Sequence, residues 1–265
     1  MEGSGSAPLT LSARELVARL RDTGLAPSRA VLAFDGDGTL WSGDVGEDVF
    51  HYFTRQGLLR DEAASALARE AGAYGLDTSG SPSEVALRLF RAYLGALYPE
   101  REVCAMMSWC YAGYALRELA EHVAEALRAA RLSERLHREL EPILDYARSE
   151  GVRCVVVSAS PTPVVEEAAR LWGFTGADIA ACRAALAGER VAAELAAPVP
   201  YAEEKPRALS ALARDAVALA SFGDNVFDLE LLRAARVPVA VRPKPALQLR
   251  LQEIPGVVVL EPFGG

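Results

Sequence analysis

Short apolar runs that alternate with helical stretches constrain the fold of this chain more than any other feature of its sequence. Each run spans four to seven residues and is bounded by glycine, proline or polar residues, which is typical of strands covered on both faces. Strands that alternate with helices predict an α/β fold with a parallel, doubly wound sheet. The predicted strands are 31–35, 153–157, 216–222, 237–241 and 257–260, and the helices around them are 11–21, 133–149, 161–172, 203–214 and 226–235.

A stretch of more than 110 residues separates the first two predicted strands, and this is far too long for a simple crossover. Eleven of the 19 aromatic residues of the chain fall within residues 41–114, so the stretch can form a small core of its own. We predict an all-helical insert over 44–130, a core formed by 11–43 and 131–265, and a flexible tail over 1–10. An insert at this point would lie over the end of the first strand and could act as a lid. The helices of the insert are predicted at 45–56, 60–72, 83–97, 101–110 and 114–130.

The composition limits the kinds of partner and cofactor. The formal net charge of −8 and the pI near 5.1 argue against a nucleic-acid surface, which would need a basic field. Four cysteines without CxxC spacing and three scattered histidines argue against a zinc or haem site and give no support for a disulfide framework. No segment approaches the ~18–20 apolar residues of a membrane span, and the N-terminus lacks the pattern of a signal peptide. We therefore expect a cytoplasmic protein that binds neither nucleic acid nor membrane, and the oligomeric state is left open.

The first predicted strand runs directly into two acidic residues. Residues 31–40 read VLAFDGDGTL, so Asp35 and Asp37 stand at the end of a buried strand with only Gly36 between them. Two carboxylates this close repel each other, and without a cation or a shared proton one of them is pushed toward the neutral form. Such a cost indicates a function: a divalent metal, an acid–base pair, or a nucleophile with its helper. The alternative is a helix N-cap with a spare acid, but a cap needs only one acid.

Polar residues also follow two of the other predicted strands. Ser158 comes directly after 153–157, and Asp224 follows 216–222 by one glycine. In doubly wound sheets ligands bind at the carboxyl ends of the strands. We therefore expect Asp35, Ser158 and Asp224 to converge on one site, although Ser158 or Asp224 taken singly could be an ordinary turn or cap residue.

Four motifs occur in order along the chain: Asp35-Gly-Asp37-Gly-Thr39, then Ser158, then Lys205, and last Gly223-Asp224-Asn225-Val226-Phe227-Asp228. In order and context they resemble the haloacid dehalogenase superfamily over about residues 30–265. The helical insert resembles the cap of the phosphoserine-phosphatase-like branch. This resemblance implies a Rossmann-like core and a Mg²⁺-dependent phosphatase that acts on a small phosphorylated metabolite through an aspartyl-phosphate intermediate.

The resemblance also implies a role for each motif. Asp35 would be the nucleophile, and Asp37 would protonate the leaving group and then activate water. Lys205 would neutralise Asp35 and the phosphoryl oxygens, and the Ser158 hydroxyl would donate to a phosphoryl oxygen. The residues expected to contact the phosphate or the rest of the substrate are Gly36, Thr39, Asp44, Ala159 and Asn225.

A Mg²⁺ site follows from the same resemblance. The carboxylates of Asp35 and Asp224 and the backbone carbonyl of Asp37 would bind the ion. Asp228 would lie in the second sphere or contact the metal through water. A few hard oxygen ligands that leave room for water and phosphate suit Mg²⁺.

The chain departs from the phosphoserine-phosphatase pattern at two positions. Phe227 replaces an asparagine that helps to hold phosphate in that family, and Asp44 stands where the family has a glutamate that grips the substrate amine. An arginine that would bind the serine carboxylate cannot be singled out, because Arg55, Arg88 and Arg91 are equal candidates. The aromatic residues of the insert could hold a quaternary ammonium group, as in a phosphocholine-like substrate, or they could simply pack its helices. The substrate is therefore left open.

Three other activities are compatible with the same fold. A dehalogenase does not need the second acid, so Asp37 argues against that reaction. A phosphotransferase such as a mutase is not favoured by a large helical cap. A catalytically silent binding protein would be expected to have lost one of the four motifs, and all four are present.

Overall fold

The computed structural model describes residues 8–263. Within this range the chain forms nine strands and eleven α-helices, joined by loops and single 3₁₀ turns. In chain order they are β1 (Leu9–Leu11), α1 (Ala13–Asp22), β2 (Ala30–Phe34), α2 (Val45–Arg55), α3 (Ala64–Ala73), α4 (Pro82–Leu94), α5 (Glu100–Trp109), α6 (Leu116–Ala129), α7 (Glu141–Glu150), β3 (Arg153–Pro161), α8 (Thr162–Ala169), β4 (Ile179–Cys182), β5 (Ala184–Ala187), β6 (Arg190–Leu195), α9 (Glu204–Leu212), β7 (Val217–Gly223), α10 (Leu229–Arg233), β8 (Val237–Val241), α11 (Pro245–Gln248) and β9 (Val258–Leu260).

Seven of the strands form one parallel sheet with the order β1-β9-β8-β7-β2-β3-β4. All five residues of β2 are buried. Leu32 and Phe34 belong to the large core cluster on one side, whereas Val31 and Ala33 pack on the other side with Leu209 of α9. Because both faces of the strand are covered, the whole run is apolar rather than alternating. The predicted doubly wound α/β fold is confirmed.

The first strand corrects the prediction of a flexible tail over 1–10. Residues 1–7 lie outside the described part of the chain, but Leu9 and Thr10 pair in parallel with Val258 and Val259 of β9. A strand of three residues is too short to show a period in the sequence. Its partner lies at the other end of the chain, so only the folded structure reveals the pairing.

The helix predicted over 133–149 begins only at Glu141. Leu136 forms an isolated bridge with Trp41, and the His137 N–H donates to the Leu40 carbonyl at 3.0 Å. These contacts hold the preceding segment against the loop that follows β2. The helix can start after them because Pro142 lacks an amide hydrogen and fits the first turn.

Helices α2 to α6 lie between β2 and β3 in the chain, as predicted for the insert. Their aromatic residues pack on one another: the Phe53 ring lies edge-on to Tyr111 at 4.7 Å and to Tyr114 at 5.6 Å. The antiparallel hairpin β5–β6 packs against α5. The division of the chain into a core and a separate cap domain at residues 44 and 130 stays a prediction. Among residues 8–263 no helix combines the length and the apolar character that a membrane crossing requires.

Candidate active site

One cavity of about 440 Å³ lies at the carboxyl ends of β2, β3 and β7, and Asp35, Ser158 and Asp224 all line it. Phe34 and Phe222 are paired in register between β2 and β7, and their rings stack 4.3 Å apart. The backbone N–H of Asp35 donates to the Phe222 carbonyl at 2.9 Å. The sheet therefore fixes the two strand ends side by side, and the three residues meet as the sequence predicted.

Lys205 is the central cation of this cavity. It lies in the first turn of α9 and is 4% exposed. Its Nζ donates to Asp35 Oδ1 at 2.6 Å and also to Asp228 Oδ1. The second oxygen of Asp228 accepts from the backbone N–H groups of Asp224, at 3.1 Å, and Asn225, at 2.9 Å. Asp228 thus ties Lys205 to the end of β7.

Burial governs the protonation of these groups. The pKa of Asp35 is raised well above its usual range, first by burial and then by repulsion from Asp228, against the attraction of Lys205. Burial also favours the neutral amine of Lys205, but the carboxylates of Asp228 and Asp35 outweigh it and raise the lysine pKa. The lysine is therefore charged at neutral pH. Lys205 and Lys244 bring two positive charges to the three carboxylates of Asp35, Asp224 and Asp228, so the site favours a further cation.

The carboxylates of Asp35, Asp224 and Asp228 fit a metal ion. One oxygen of each lies within 4.8 Å of the others, and all three residues are buried. The pKa of Asp224 is raised to about 6 by burial and by Asp228, although Lys244 forms an ion pair with Asp224 Oδ2 at 2.9 Å. Gly38 has a φ of +81°, and a Cβ there would lie 2.0 Å from the same oxygen. Glycine at this position therefore leaves the space that the Asp224 carboxylate occupies, and the donor set of hard oxygens suits Mg²⁺.

The Asp37 carboxylate is held by three donors, one of which is the backbone N–H of the first residue of α2. Its Oδ1 accepts from Trp41 Nε1 at 2.8 Å and from the backbone N–H of Val45, the first residue of α2, at 2.7 Å. Its Oδ2 accepts from Ser160 Oγ at 2.6 Å. The side chain is thus fixed in the cavity wall and is kept apart from the cluster around Lys205.

Ser158 is buried next to Gly36. A Cβ on Gly36 would lie 3.4 Å from Ser158 Oγ and 3.2 Å from the Trp41 ring, so a larger residue would crowd the serine. Ser158 Oγ accepts from the backbone N–H of Ser160 at 3.1 Å, and Ala159 lines the same cavity. The serine hydroxyl keeps its own proton for a further acceptor.

The remaining residues expected to contact substrate occupy different places. Asn225 lines the cavity, whereas Thr39 is fully buried with its hydroxyl 3.5 Å from both Asp35 Oδ2 and Asp224 Oδ1. Asp44 lines the cavity as the N-cap of α2, where its carboxylate accepts from the Glu47 N–H at 2.8 Å. Burial, and then repulsion from Asp37, raise the pKa of Asp44 well above its usual range.

The three arginines considered for a substrate carboxylate do not line the cavity. Arg55 and Arg91 are exposed. Arg88 donates to the carbonyls of Asp77 and Ser79. None of the three is placed where it could bind the substrate in this arrangement.

Sequence analysis missed Lys244, which lines the cavity and pairs with Asp224. Its backbone N–H donates to the Asp224 carbonyl at 2.8 Å, so the loop after β8 is tied to the end of β7. A sequence signal was available: the chain contains only two lysines, Lys205 and Lys244, among 28 basic residues. Both lie in this cavity, where a compact ammonium group suits an oxyanion better than a broad guanidinium group.

Glu47 and Glu100 were also missed, together with the aromatic residues Tyr93 and Tyr201, and all four line the cavity with Phe227 of the fourth motif. They line the part of the cavity that faces the insert. The four missed residues lie on α2, α4, α5 and the loop before α9, and they share no spacing in the sequence, so no motif could have brought them together.

A sequence model of haloacid dehalogenase-like hydrolases matches residues 32–233 of this chain. The chain belongs to that family. The match spans all four motifs that carried the resemblance in the sequence and leaves out only the segments at the two ends. A comparison with curated proteins finds no match.

Solved structures support the same fold for this family member. A protein with unknown function from Bordetella pertussis Tohama I is 21% identical, with a TM-score of 0.68, over 88% of this chain and 98% of that one. A substrate-bound phosphoserine phosphatase is 14% identical, with a TM-score of 0.51, over 86% of this chain and 91% of that one. Cytosolic 5′-nucleotidase IIIB bound to cytidine is 12% identical, with a TM-score of 0.53, over 94% and 85% of the two chains. At these identities the likeness shows the fold alone, which is of the phosphoserine-phosphatase-like type.

Proposed function

We propose that this hydrolase is a Mg²⁺-dependent phosphatase that cleaves a small phosphate monoester through an aspartyl-phosphate intermediate. The observation that carries the proposal is the buried ion pair of Lys205 with Asp35, at 2.6 Å, beside the carboxylates of Asp224 and Asp228. Phosphoryl transfer needs a nucleophile, positive charge around the phosphoryl oxygens and a proton donor for the leaving group. The cavity offers one group for each need.

Asp35 would be the nucleophile. Burial makes its carboxylate basic, and Lys205 holds one of its oxygens in a fixed direction. The other oxygen can attack phosphorus while the bond to the ester oxygen breaks, which leaves the phosphoryl group on Asp35 and releases the alcohol. Asp35, Asp224 and the Asp37 carbonyl would hold Mg²⁺, which would supply positive charge near the carboxylate and the phosphoryl oxygens.

Asp37 would transfer the protons. Its carboxylate belongs to the wall on the insert side, where the ester oxygen of the substrate must leave. It would give a proton to that oxygen and then take one from the water that hydrolyses the intermediate. Three donors hold the carboxylate in one orientation, which is the positioning that proton transfer needs.

Ser158, the backbone N–H of Ala159 and Lys205 would hold the phosphoryl oxygens. Ser158 is 1% exposed and its hydroxyl is placed by contacts with Gly36 and Ser160. The helices of the insert would act as a cap that keeps bulk water away during transfer. Phosphoserine phosphatase, a protein of the same fold type, carries out a reaction of this class.

The test is phosphate release from p-nitrophenyl phosphate in water, with Mg²⁺ and with excess EDTA. We expect activity only with the metal, and Asp35→Asn should lower kcat/KM by at least about 10⁴-fold, as loss of a covalent nucleophile does in other enzymes. Asp145→Asn, at an exposed position of α7, is the matched control and should keep full activity. Wild-type protein that hydrolyses no member of a broad phosphomonoester panel, or an active Asp35→Asn variant, would overturn the proposal.

A further inference from the structure

The charge of the active-site cavity is strongly unbalanced. Among residues 8–263, seven carboxylate side chains and two lysines line it, and no arginine does. Both lysines are engaged at the strand ends, since Lys205 pairs with Asp35 and Asp228 and Lys244 pairs with Asp224. A divalent metal and a phosphate dianion would cancel each other there, so the negative charge on the insert side would remain.

Two of the carboxylates on the insert side have no partner. Within residues 8–263 the carboxylates of Glu47 and Glu100 accept no hydrogen bond and form no ion pair, although both residues are only partly exposed. Burial raises the pKa of each; the carboxylate of Asp37 adds to the effect at Glu47, whereas the ammonium group of Lys244, which is paired with Asp224, lowers the pKa of both without forming an ion pair with either. Carboxylates that are partly desolvated and left unpaired weaken a fold, so their presence in a substrate cavity indicates a ligand that pairs with them.

Aromatic rings line the same part of the cavity. The rings of Tyr201 and Phe227 lie 4.5 Å apart, and Tyr93 lines the cavity beside them. Tyr93 lines the cavity together with Glu47 and Glu100, and burial, followed by the carboxylates of Glu100 and Glu47, raises the pKa of its hydroxyl to about 12. Aromatic faces and carboxylates together attract organic cations, because the ring quadrupole adds to the ionic attraction.

Arg101 lies near these rings, but its guanidinium group is paired with a carboxylate outside the cavity. The Arg101 guanidinium lies 5.5 Å from the Tyr201 ring centre and pairs with Glu203. It does not line the cavity. A substrate carboxylate on this side would therefore face Glu47 and Glu100, and Lys244, the ammonium group that acts on both acids, is already paired with Asp224.

On the proposed phosphatase function, we infer that the alcohol part of the substrate is a cation without a carboxylate, so that the substrate is the phosphate monoester of an alkylammonium alcohol. Glu47 and Glu100 pair with the nitrogen, and Tyr93, Tyr201 and Phe227 pack on its substituents. The same charge pattern excludes L-phosphoserine, whose carboxylate would be repelled. Phe227, which departs from the phosphoserine-phosphatase pattern, thus becomes part of the surface that selects the substrate.

The first experiment compares kcat/KM of the wild-type protein, with Mg²⁺, on four phosphate monoesters. They are phosphocholine, phosphoethanolamine, L-phosphoserine and 3,3-dimethylbutyl phosphate, which has the shape of phosphocholine but carries no charge on the alcohol. We expect phosphocholine or phosphoethanolamine to exceed both the neutral isostere and L-phosphoserine by at least about tenfold, since one ionic contact in a partly buried site has that size. The two amines separate a quaternary from a primary ammonium group.

The second experiment measures the ratio of kcat/KM for the better amine to that for 3,3-dimethylbutyl phosphate. Glu47→Gln and Glu100→Gln should each lower this ratio by about fivefold or more, because each removes one charge and keeps the shape. Glu189→Gln, at an exposed turn between β5 and β6, is the control and should leave the ratio unchanged.

Different results would overturn the phosphatase activity and the cationic substrate. Hydrolysis of p-nitrophenyl phosphate together with equal rates on the charged and neutral isosteres would overturn the cationic substrate and leave the phosphatase standing. The cationic substrate is also overturned, and the phosphatase retained, if L-phosphoserine is the best of the four substrates. A protein that hydrolyses none of the esters would overturn the phosphatase, and the substrate inference with it.

Discussion

The two ends of the active-site cavity differ in how their charges are satisfied. At the strand ends, Asp35 and Asp228 pair with Lys205 and Asp224 pairs with Lys244. On the insert side, Glu47 and Glu100 have no partner among the described residues, although burial acts on both. The paired end is organised before any ligand arrives, as a chemical step requires. The unpaired end would be completed only by the molecule that binds there, and this is why we propose that it selects the substrate.

The largest expected change in stability comes from removing the positive charge of Lys205 at the paired end of the cavity. Lys205→Met should lower the free energy of unfolding by about 3–5 kcal/mol, because it leaves the carboxylates of Asp35 and Asp228 buried without their counter-charge. Urea unfolding of the metal-free protein at neutral pH measures this. Lys244→Met is the comparison: its side chain is 52% exposed, and we expect a loss of under about 1 kcal/mol. Equal losses of unfolding free energy in the two variants would show that the stability of the paired end does not depend on the buried Lys205.

A smaller effect should follow from crowding the metal-binding oxygens. Gly38→Ala places a Cβ 2.0 Å from Asp224 Oδ2 at a φ of +81°, so the carboxylate must move. We expect a loss of about 1–3 kcal/mol in stability and a rise in the Mg²⁺ concentration that activity requires.

The control for that variant separates backbone strain from crowding. Gly151→Ala has a similar φ of +71° and nothing within 4 Å of the new Cβ. This variant should lower the free energy of unfolding by about 1 kcal/mol through backbone strain alone, and it should leave the Mg²⁺ dependence of activity unchanged. If Gly38→Ala binds Mg²⁺ as the wild type does, Asp224 is not the ligand that we propose.

The smallest expected change is a gain in stability rather than a loss, and it comes from a substitution at the unpaired end. Burial raises the pKa of Glu100 above its unfolded value, so the ionised group opposes folding at neutral pH, and this cost disappears as the pH falls through the folded pKa. Glu100→Gln should therefore be more stable than the wild type at pH 7, by under about 1 kcal/mol because the group is partly exposed. The difference should vanish near pH 4, where the carboxyl is protonated in both states.

Urea unfolding at the two pH values decides this point, with Glu189→Gln as the control at an exposed position. A less stable Glu100→Gln variant at pH 7 would mean that the carboxylate already has a partner in the free protein. The proposed difference between the two ends of the cavity would then be lost.

Much of the strand-end half of the site was predictable from sequence. Asp35, Ser158 and Asp224 could be placed together because each follows an apolar run, and parallel strands end at one edge of a sheet. Lys205 was identified only through the order of the four motifs. Lys244 was not identified, although it is one of only two lysines in the chain. Its position depends on the backbone bond from its N–H to the Asp224 carbonyl.

The apolar pattern and the four motifs were enough to predict the architecture and the position of the acids at the strand ends. The period of apolar residues follows from local backbone geometry, and it sets which segments become strands, which become helices and where the acids must lie. Only the folded chain shows the pairing of β1 with β9 and the set of residues that we propose faces the substrate. Glu47, Tyr93, Glu100 and Tyr201 come from separate helices and a core loop, and only the packing of the insert against the core brings them to one cavity. Contacts between distant segments leave no periodic pattern in the sequence. The residues that we propose select the substrate can therefore be identified only in the folded protein.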